Sequence, residues 1–272
     1  MHQSDVCTNC SHSLATDDRF CGHCGQRAVL HRFTLRHLSH EVSHAITHAD
    51  ATIFTLMRDV LIRPATVLHD YIVLGKRKAY FNPFTAVLLL GGLLLLVTSM
   101  FNPYRMPELE PKMQAARAEM EKDPTKAMAL AMFDRSQRAA QFIEKNSKLL
   151  MLLSIPISAW MFWLGYRRTG LNYAEHVVAA TFLTCGLTIF FSLFMMPMMG
   201  VFKQTTLYNW VVPLSLVFQW VYFGVAYGTW AKRFQPTYPA SRAWVFSLLN
   251  IVVWSLLSAG GVFVYVLAGM LT

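Results

Sequence analysis

A chain of 272 residues could hold one or two soluble domains, but 54% hydrophobic and 14% charged residues, with a mean hydropathy of +0.36, exclude an ordinary globular balance. The formal charge of +9 would suit nucleic acid, yet residues 1–30 set Arg19 and Arg27 against Asp5, Asp17 and Asp18, and the excess lies beside apolar segments. There it orients membrane spans and meets anionic lipid, so nucleic-acid binding is not expected.

Residues 1–30 form the first unit, a small zinc-ribbon-like domain. Cys7-Thr8-Asn9-Cys10 and Cys21-Gly22-His23-Cys24-Gly25 are two CxxC pairs separated by the ten residues Ser11 to Phe20. Each pair can make a tight knuckle, and Gly25 eases the turn after the second. With no signal peptide ahead of them, paired thiols at this spacing suit a reducing cytoplasm and a metal rather than disulfides. Cys7, Cys10, Cys21 and Cys24 are therefore the expected ligands of a tetrahedral Zn²⁺ site, with an iron or redox role as the lesser reading. His12 and His23 lie nearby but are surplus to four thiolates. So short a segment cannot bury a core, so metal binding and folding are one event, on the order of 10–16 kcal/mol in comparable peptides. The fifth cysteine, Cys185, stands in an apolar run and reads as a packing residue.

Residues 31–82 follow as amphipathic cytoplasmic or interfacial helices. Over 34–62, Leu35, Leu38, Val42, Ile46, Ile53, Leu56 and Val60 share one helical stripe that faces the bilayer or the helix bundle, and Arg63-Pro64 stops the helix. His37, His40, His44 and His48 line the opposite face. Adjacent pairs there could chelate a transition metal, but a polar face turned to water is the favoured reading. A shorter amphipathic piece then leads to Gly75-Lys76-Arg77-Lys78-Ala79-Tyr80-Phe81-Asn82-Pro83. Lys76, Arg77 and Lys78 are placed to meet anionic headgroups, and no charged side chain follows until Arg105.

The ordered set Phe20-Cys21-x-x-Cys24-Gly25-Gln26, then Arg63-Pro64 and Tyr71, then Gly75-Lys76-Arg77-x-x-Tyr80-x-x-Pro83 and an apolar helix resembles the bacterial family designated domain of unknown function 3667. The resemblance covers about the first 100 residues. It implies a multi-pass membrane protein with a zinc-ribbon-like arm, and it supplies no catalytic residues.

Residues 83–272 read as the transmembrane helical domain, with five spans near 84–101, 149–165, 176–199, 208–230 and 244–270. The loop 102–148 between the first two has helical composition over 111–121 and 124–148 and is expected outside. Short loops carry Arg167, Arg168, Lys232, Arg233 and Arg242 on one side and Lys203 on the other, which puts the N-terminus in the cytoplasm. The nine Lys and Arg of loop 102–148 oppose that assignment, although seven acids are mixed among them. Gly224-x-x-x-Gly228 and the small pair Ser255 and Ala259 allow close helix packing or a homo-oligomer. Glu175 and His176 at the edge of the third span suggest an interfacial salt bridge with Arg167 and Arg168. Met195-Met196-Pro197-Met198-Met199 could expose thioethers to Cu(I) if Pro197 breaks the helix, or simply fill space.

The expected fold is thus an all-α polytopic membrane protein with about five transmembrane helices and a small N-terminal zinc-ribbon-like domain. No Ser/His/Asp grouping, HExxH or phosphate loop is present, so an enzyme is not expected. The expectation is a scaffold or regulatory interaction protein of the bacterial cytoplasmic (inner) membrane, with lipid and a protein partner. A transporter or metal-handling permease is the alternative.

Overall fold

The computed structural model describes residues 5–15, 17–29, 34, 52–101, 109–203, 205–234 and 236–268, and the His37/His40/His44/His48 stripe lies outside them. Beyond the knuckle unit at 5–29, the described chain is helical. Helix α1 (Thr52–Ile62) ends where Pro64 forbids its continuation, and α2 (Pro64–Leu68) starts on that proline. A π-helical turn, His69–Val73, leads to the junction, and Gly75 turns the chain there with φ +70°. Then come α3 (Pro83–Phe101), α4 (Leu109–Glu121), α5 (Ala127–Lys145), α6 (Ser147–Gly165), α7 (Tyr173–Phe190), α8 (Met196–Phe202), α9 (Tyr208–Lys232) and α10 (Ala240–Ala268).

Among the described residues, four helices are long and apolar enough to cross a membrane: α3, the continuous Tyr173–Phe202 rod of α7 and α8, α9, and α10 over Ala240–Tyr265. The second expected span is shorter, an apolar stretch of Leu149–Gly165. Lys148 precedes it and Tyr166-Arg167-Arg168 follow, leaving about 25 Å of apolar rise. Proline does not break the α7–α8 rod. Pro197 cannot donate one turn back, and the π turn Phe191–Met195 widens the helix just before it, with the Met196 amide bonding the Phe191 carbonyl. Met195, Met196 and Met199 are consequently buried with Val211 against Leu94, Val97 and Phe190. They fill the core between α3 and α9 rather than standing out for copper.

The apolar stripe of α1 and α2 goes into the bundle. Leu56, Val60, Val67, Leu68 and Tyr71 join one core with Phe162, Phe182, Phe223 and Tyr227 of the long helices. Tyr222, near the middle of α9, donates its hydroxyl to the Val60 carbonyl at 2.7 Å. Gly186 of α7 makes room for that ring, because a Cβ there would lie 2.0 Å from the Tyr222 oxygen. Gly186→Ala should therefore cost about 1–3 kcal/mol by overpacking. Adding Tyr222→Phe should recover part of the loss, as read by thermal unfolding in detergent.

Asp59 is the buried charge of α1, at 2% exposure, held by Arg63 at 2.6 Å and Arg58 at 2.9 Å. Burial raises its carboxyl, but hydrogen bonds and charge from the two guanidinium groups outweigh that and hold it below the usual carboxylate range. Both arginines are more than half exposed, which discounts the pair to about 1–2 kcal/mol. A depressed carboxyl stabilises the fold above its unfolded value, about pH 4, and that contribution is lost as pH falls through the folded value. Asp59→Asn should thus be less stable than wild type, by the same amount from pH 6 to 8. The gap should shrink below about pH 4, as thermal scans at pH 7 and pH 3.5 will show.

The short basic loops gather at the end of the bundle where α1 and α2 sit. Arg233 donates to the Thr66 hydroxyl at 2.9 Å, and His69 meets the Phe234 ring edge-on at 6.0 Å. Tyr238 and Arg242 both donate to the Gly165 carbonyl at the C-terminus of α6, at 3.2 and 3.3 Å, where a helix leaves carbonyls unpaired and favours a cation. Arg167 lies over the Trp163 ring at 4.4 Å. Glu175, read from sequence as half of a salt bridge, closes a capping box on α7: its amide bonds the Asn172 side chain and its carboxylate accepts from the Asn172 amide at 2.8 Å. His176 is fully buried between Tyr227 and Trp230.

The loop between α3 and α6 is the expected helical pair. Arg117 of α4 makes a two-point pair with Asp134 of α5, at 2.8 and 3.2 Å, and α5 packs along α10.

Candidate metal centre

Residues 5–29 build the same small structure twice, fourteen positions apart. In each copy the first cysteine donates its amide to a carbonyl five residues on, Cys7 to His12 at 2.8 Å and Cys21 to Gln26 at 2.7 Å. In each, the residue after the second cysteine returns its amide to the first, Ser11 to Cys7 and Gly25 to Cys21. That residue takes positive φ in both copies, 60° at Ser11 and 68° at Gly25, which folds the chain back on itself. Single antiparallel bridges, Val6 with Ser13 and Phe20 with Arg27, close the two knuckles.

The turns point four sulfurs at one centre. Cys7 and Cys24 Sγ are 3.6 Å apart, Cys10 and Cys21 Sγ also 3.6 Å, and all four lie within 4.8 Å of one another. A disulfide would need about 2.05 Å, and all five cysteines are free. A tetrahedron with metal–sulfur bonds of about 2.3 Å has edges of about 3.8 Å, so the sulfurs stand where a four-thiolate metal site would hold them. The His12 amide bonds the Cys10 sulfur and the Gln26 amide bonds that of Cys24. Desolvation raises the Cys24 thiol, yet the Gln26 amide, the Cys10 and Cys7 sulfurs and Asn9 together bring it down to about 6. The four residues singled out from spacing are thus the four brought together. His12 and His23 stack on each other beside them, with ring centroids 5.4 Å apart, rather than entering the set.

Gln26 is the residue that spacing did not single out for a role. It is 2% exposed, and its side chain reaches 49 positions along the chain to the membrane junction. Its Nε2 donates to the Gly75 carbonyl, and its Oε1 accepts from the Lys78 amide at 3.1 Å. A carboxamide matches a peptide edge in this way, donor to acceptor and acceptor to donor. The same residue thus sets the second knuckle with its main chain and fastens it to the junction with its side chain. Its counterpart in the first copy is His12, so the break in the repeat is the one signal in the sequence that marks it.

The junction is held from below as well. Lys76 pairs with Asp70 at 3.5 Å and donates its amide to the Asp70 carbonyl at 2.9 Å, and Tyr80 donates to the Asp70 carboxylate at 3.2 Å. Lys76 and Arg77 are half-buried, while Lys78 is exposed.

No family model, no curated protein and no solved structure matches this chain.

Proposed function

We propose that this protein is a scaffold of the bacterial inner membrane, in which a zinc-bound ribbon is fixed at the cytoplasmic face as a docking platform for another protein. The reading rests chiefly on Gln26, which fastens the knuckle to Gly75 and Lys78 where the apolar body begins. A metal unit that handed ions to a permease would need to open or swing, whereas one bolted by a two-point amide clamp presents a constant surface. Zinc is the metal that suits four thiolates closed on all sides without an open coordination position. The cytoplasmic orientation is supported by Arg167, Arg168, Lys232, Arg233 and Arg242, which gather at the ribbon's end of the bundle. Lys78 is the cation of the triplet left for anionic headgroups. The short helix α6 serves as a fifth span in this reading, since 17 apolar residues reach the lower limit for crossing. The order of motifs across the first 100 residues supports membership of the family designated domain of unknown function 3667.

Phe20, 55% exposed on the second knuckle, supplies the test. A photoreactive phenylalanine analogue placed at position 20 should crosslink in native membranes to one discrete protein, and the adduct should vanish when Cys21→Ser removes the metal site. Absence of any adduct, together with zinc or copper flux into proteoliposomes above that of empty vesicles, would replace the scaffold with the permease.

A further inference from the structure

Among α6, α7, α9 and α10, with α3 on one side and α5 across one end, lies a cavity of about 760 Å³. That is within the range of roughly 300–1,000 Å³ of small-molecule sites. Its walls change character with depth. Ser154 and Ser158 of α6, Thr184 and Thr188 of α7, Gln219 of α9 and Asn250 of α10 all line it. Two contacts tie the helices pairwise: the Thr188 hydroxyl oxygen lies 3.2 Å from the Met151 sulfur, between α7 and α6, and Ser247 donates to the Trp220 carbonyl at 2.7 Å, between α10 and α9, next to Gln219 and about one turn from Asn250. Toward α5 the walls turn to Leu94, Phe191, Met196, Trp254 and Tyr265, and Phe142 and Arg138 stand at the mouth.

The polar level is short of donors. Asn250 is 2% exposed, and its Oδ1 has no hydrogen-bond partner among the described residues. The Ser154 hydroxyl hydrogen goes to the Met151 carbonyl at 2.6 Å, and that of Thr188 to the Thr184 carbonyl at 2.8 Å. Both oxygens are left as acceptors facing the cavity. A buried acceptor in that state calls for a donor from whatever fills the space. Arg138 is the one charged residue among those lining the cavity, and it is at the mouth; no carboxylate, imidazole or thiolate reaches the walls. A transition metal would find none of its anionic or imidazole ligands there, and a phosphate no cation beside the hydroxyls.

We propose that this cavity binds a neutral lipid with a hydroxyl head, such as a long-chain alcohol or a monoacylglycerol. The head hydroxyl donates its one hydrogen to Asn250 Oδ1, a second hydroxyl of a glycerol head finds the Ser154 or Thr188 oxygen, and the chain runs past Phe191, Met196 and Trp254 toward α5. The probe is a monoacylglycerol carrying a photoreactive diazirine in its chain, added to the full-length protein in phosphatidylcholine nanodiscs. Labelled peptides should come from α6 and α10, and unlabelled monoolein should compete. Asn250→Leu should cut specific labelling at least tenfold. Gly261→Leu should do the same, because Gly261 lines the cavity and a Cβ there meets nothing within 4 Å, so the new side chain starts into open space. If Asn250→Leu fails to fold, the glycine variant carries the result. Uncompeted labelling spread over the outward-facing residues of α10, such as Leu248 and Leu256, would mean bulk lipid only and would overturn the proposal. Competition stronger with palmitate than with monoolein, and lost in Arg138→Gln, would overturn the neutral head.

Discussion

Cys21→Ser and Cys24→Ser will each yield a chain that still extracts with detergent from membranes but carries less than a tenth of the one zinc per chain expected of the wild type. The reason is the division of labour between the two halves of the molecule. The long helices bury Phe162, Phe182, Tyr227 and their neighbours in a core that owes nothing to the thiols. Residues 5–29 contribute little to that core: within them Cys7, Cys21, Ala28 and Gln26 are buried, and their secondary structure is two single bridges. Such a segment has no apolar reserve against its own chain entropy, which runs at about 1–2 kcal/mol per residue. A bound metal, worth on the order of 10–16 kcal/mol in comparable peptides, would offset it. Removing one thiolate leaves three ligands and one knuckle without its sulfur, so both knuckles should open together. Elemental analysis gives the metal content, and amide exchange over 5–29 against 173–190 gives the unfolding. Wild-type zinc in both variants would show that the four sulfurs do not form the site.

Gln26→Leu should separate metal binding from attachment. The variant keeps all four thiols and the main-chain bonds of the knuckle, so zinc content should stay at the wild-type level. What it loses is the pair of bonds to Gly75 and Lys78, with a longer one to the Thr8 hydroxyl at 3.4 Å. Those groups are then buried without partners or must reach water, a loss of about 2–4 kcal/mol for the two together. Exchange of the Lys78 amide should accelerate by about 30-fold or more, since each 1.4 kcal/mol is a factor of ten. Limited proteolysis should cut between the ribbon and α1 sooner than in wild type. Gln26→Glu is the sharper companion, because it keeps the acceptor for Lys78 and replaces the donor to Gly75 with a second acceptor. Its exchange rate should rise too, whereas a purely steric role for the side chain would leave it unchanged.

Short-range chemistry makes the four-cysteine cluster legible in the sequence alone. Two thiols three residues apart and a glycine behind them describe a knuckle on their own, and the Arg63-Pro64 step and the apolar runs mark helix ends by equally local rules. Gln26 escaped because its partner is a backbone carbonyl 49 positions away, and backbone has no letter in a sequence. Glu175 read only as a partner for nearby cations, and its capping box with the Asn172 amide went unmarked for the same reason. The α7–α8 rod ran through Pro197 because a π turn can absorb a proline, an accommodation no residue pattern announces. The cavity could have been suspected from Ser154 with Ser158 and Thr184 with Thr188. Hydroxyls four apart share a helix face, but in an apolar helix such residues usually bond their own backbone, and here Ser154 and Thr188 do.

The offset between α3 and the α7–α8 rod has a further bearing. Cys185, midway along the rod, sits beside the Pro83 carbonyl at 3.7 Å, and Gly200 near its end sits against Phe101. The rod's 30 residues amount to about 45 Å, half as much again as the oily layer of a typical bilayer. Its first dozen residues therefore lie beyond the start of α3, where α1 and α2 pack against them, and the knuckles are fastened nearby at the Gly75–Lys78 junction. On the reading proposed above, a thicker sheet of lipid would cover more of that end and draw the four-cysteine unit toward the phosphate plane, and a thinner one would lift it clear.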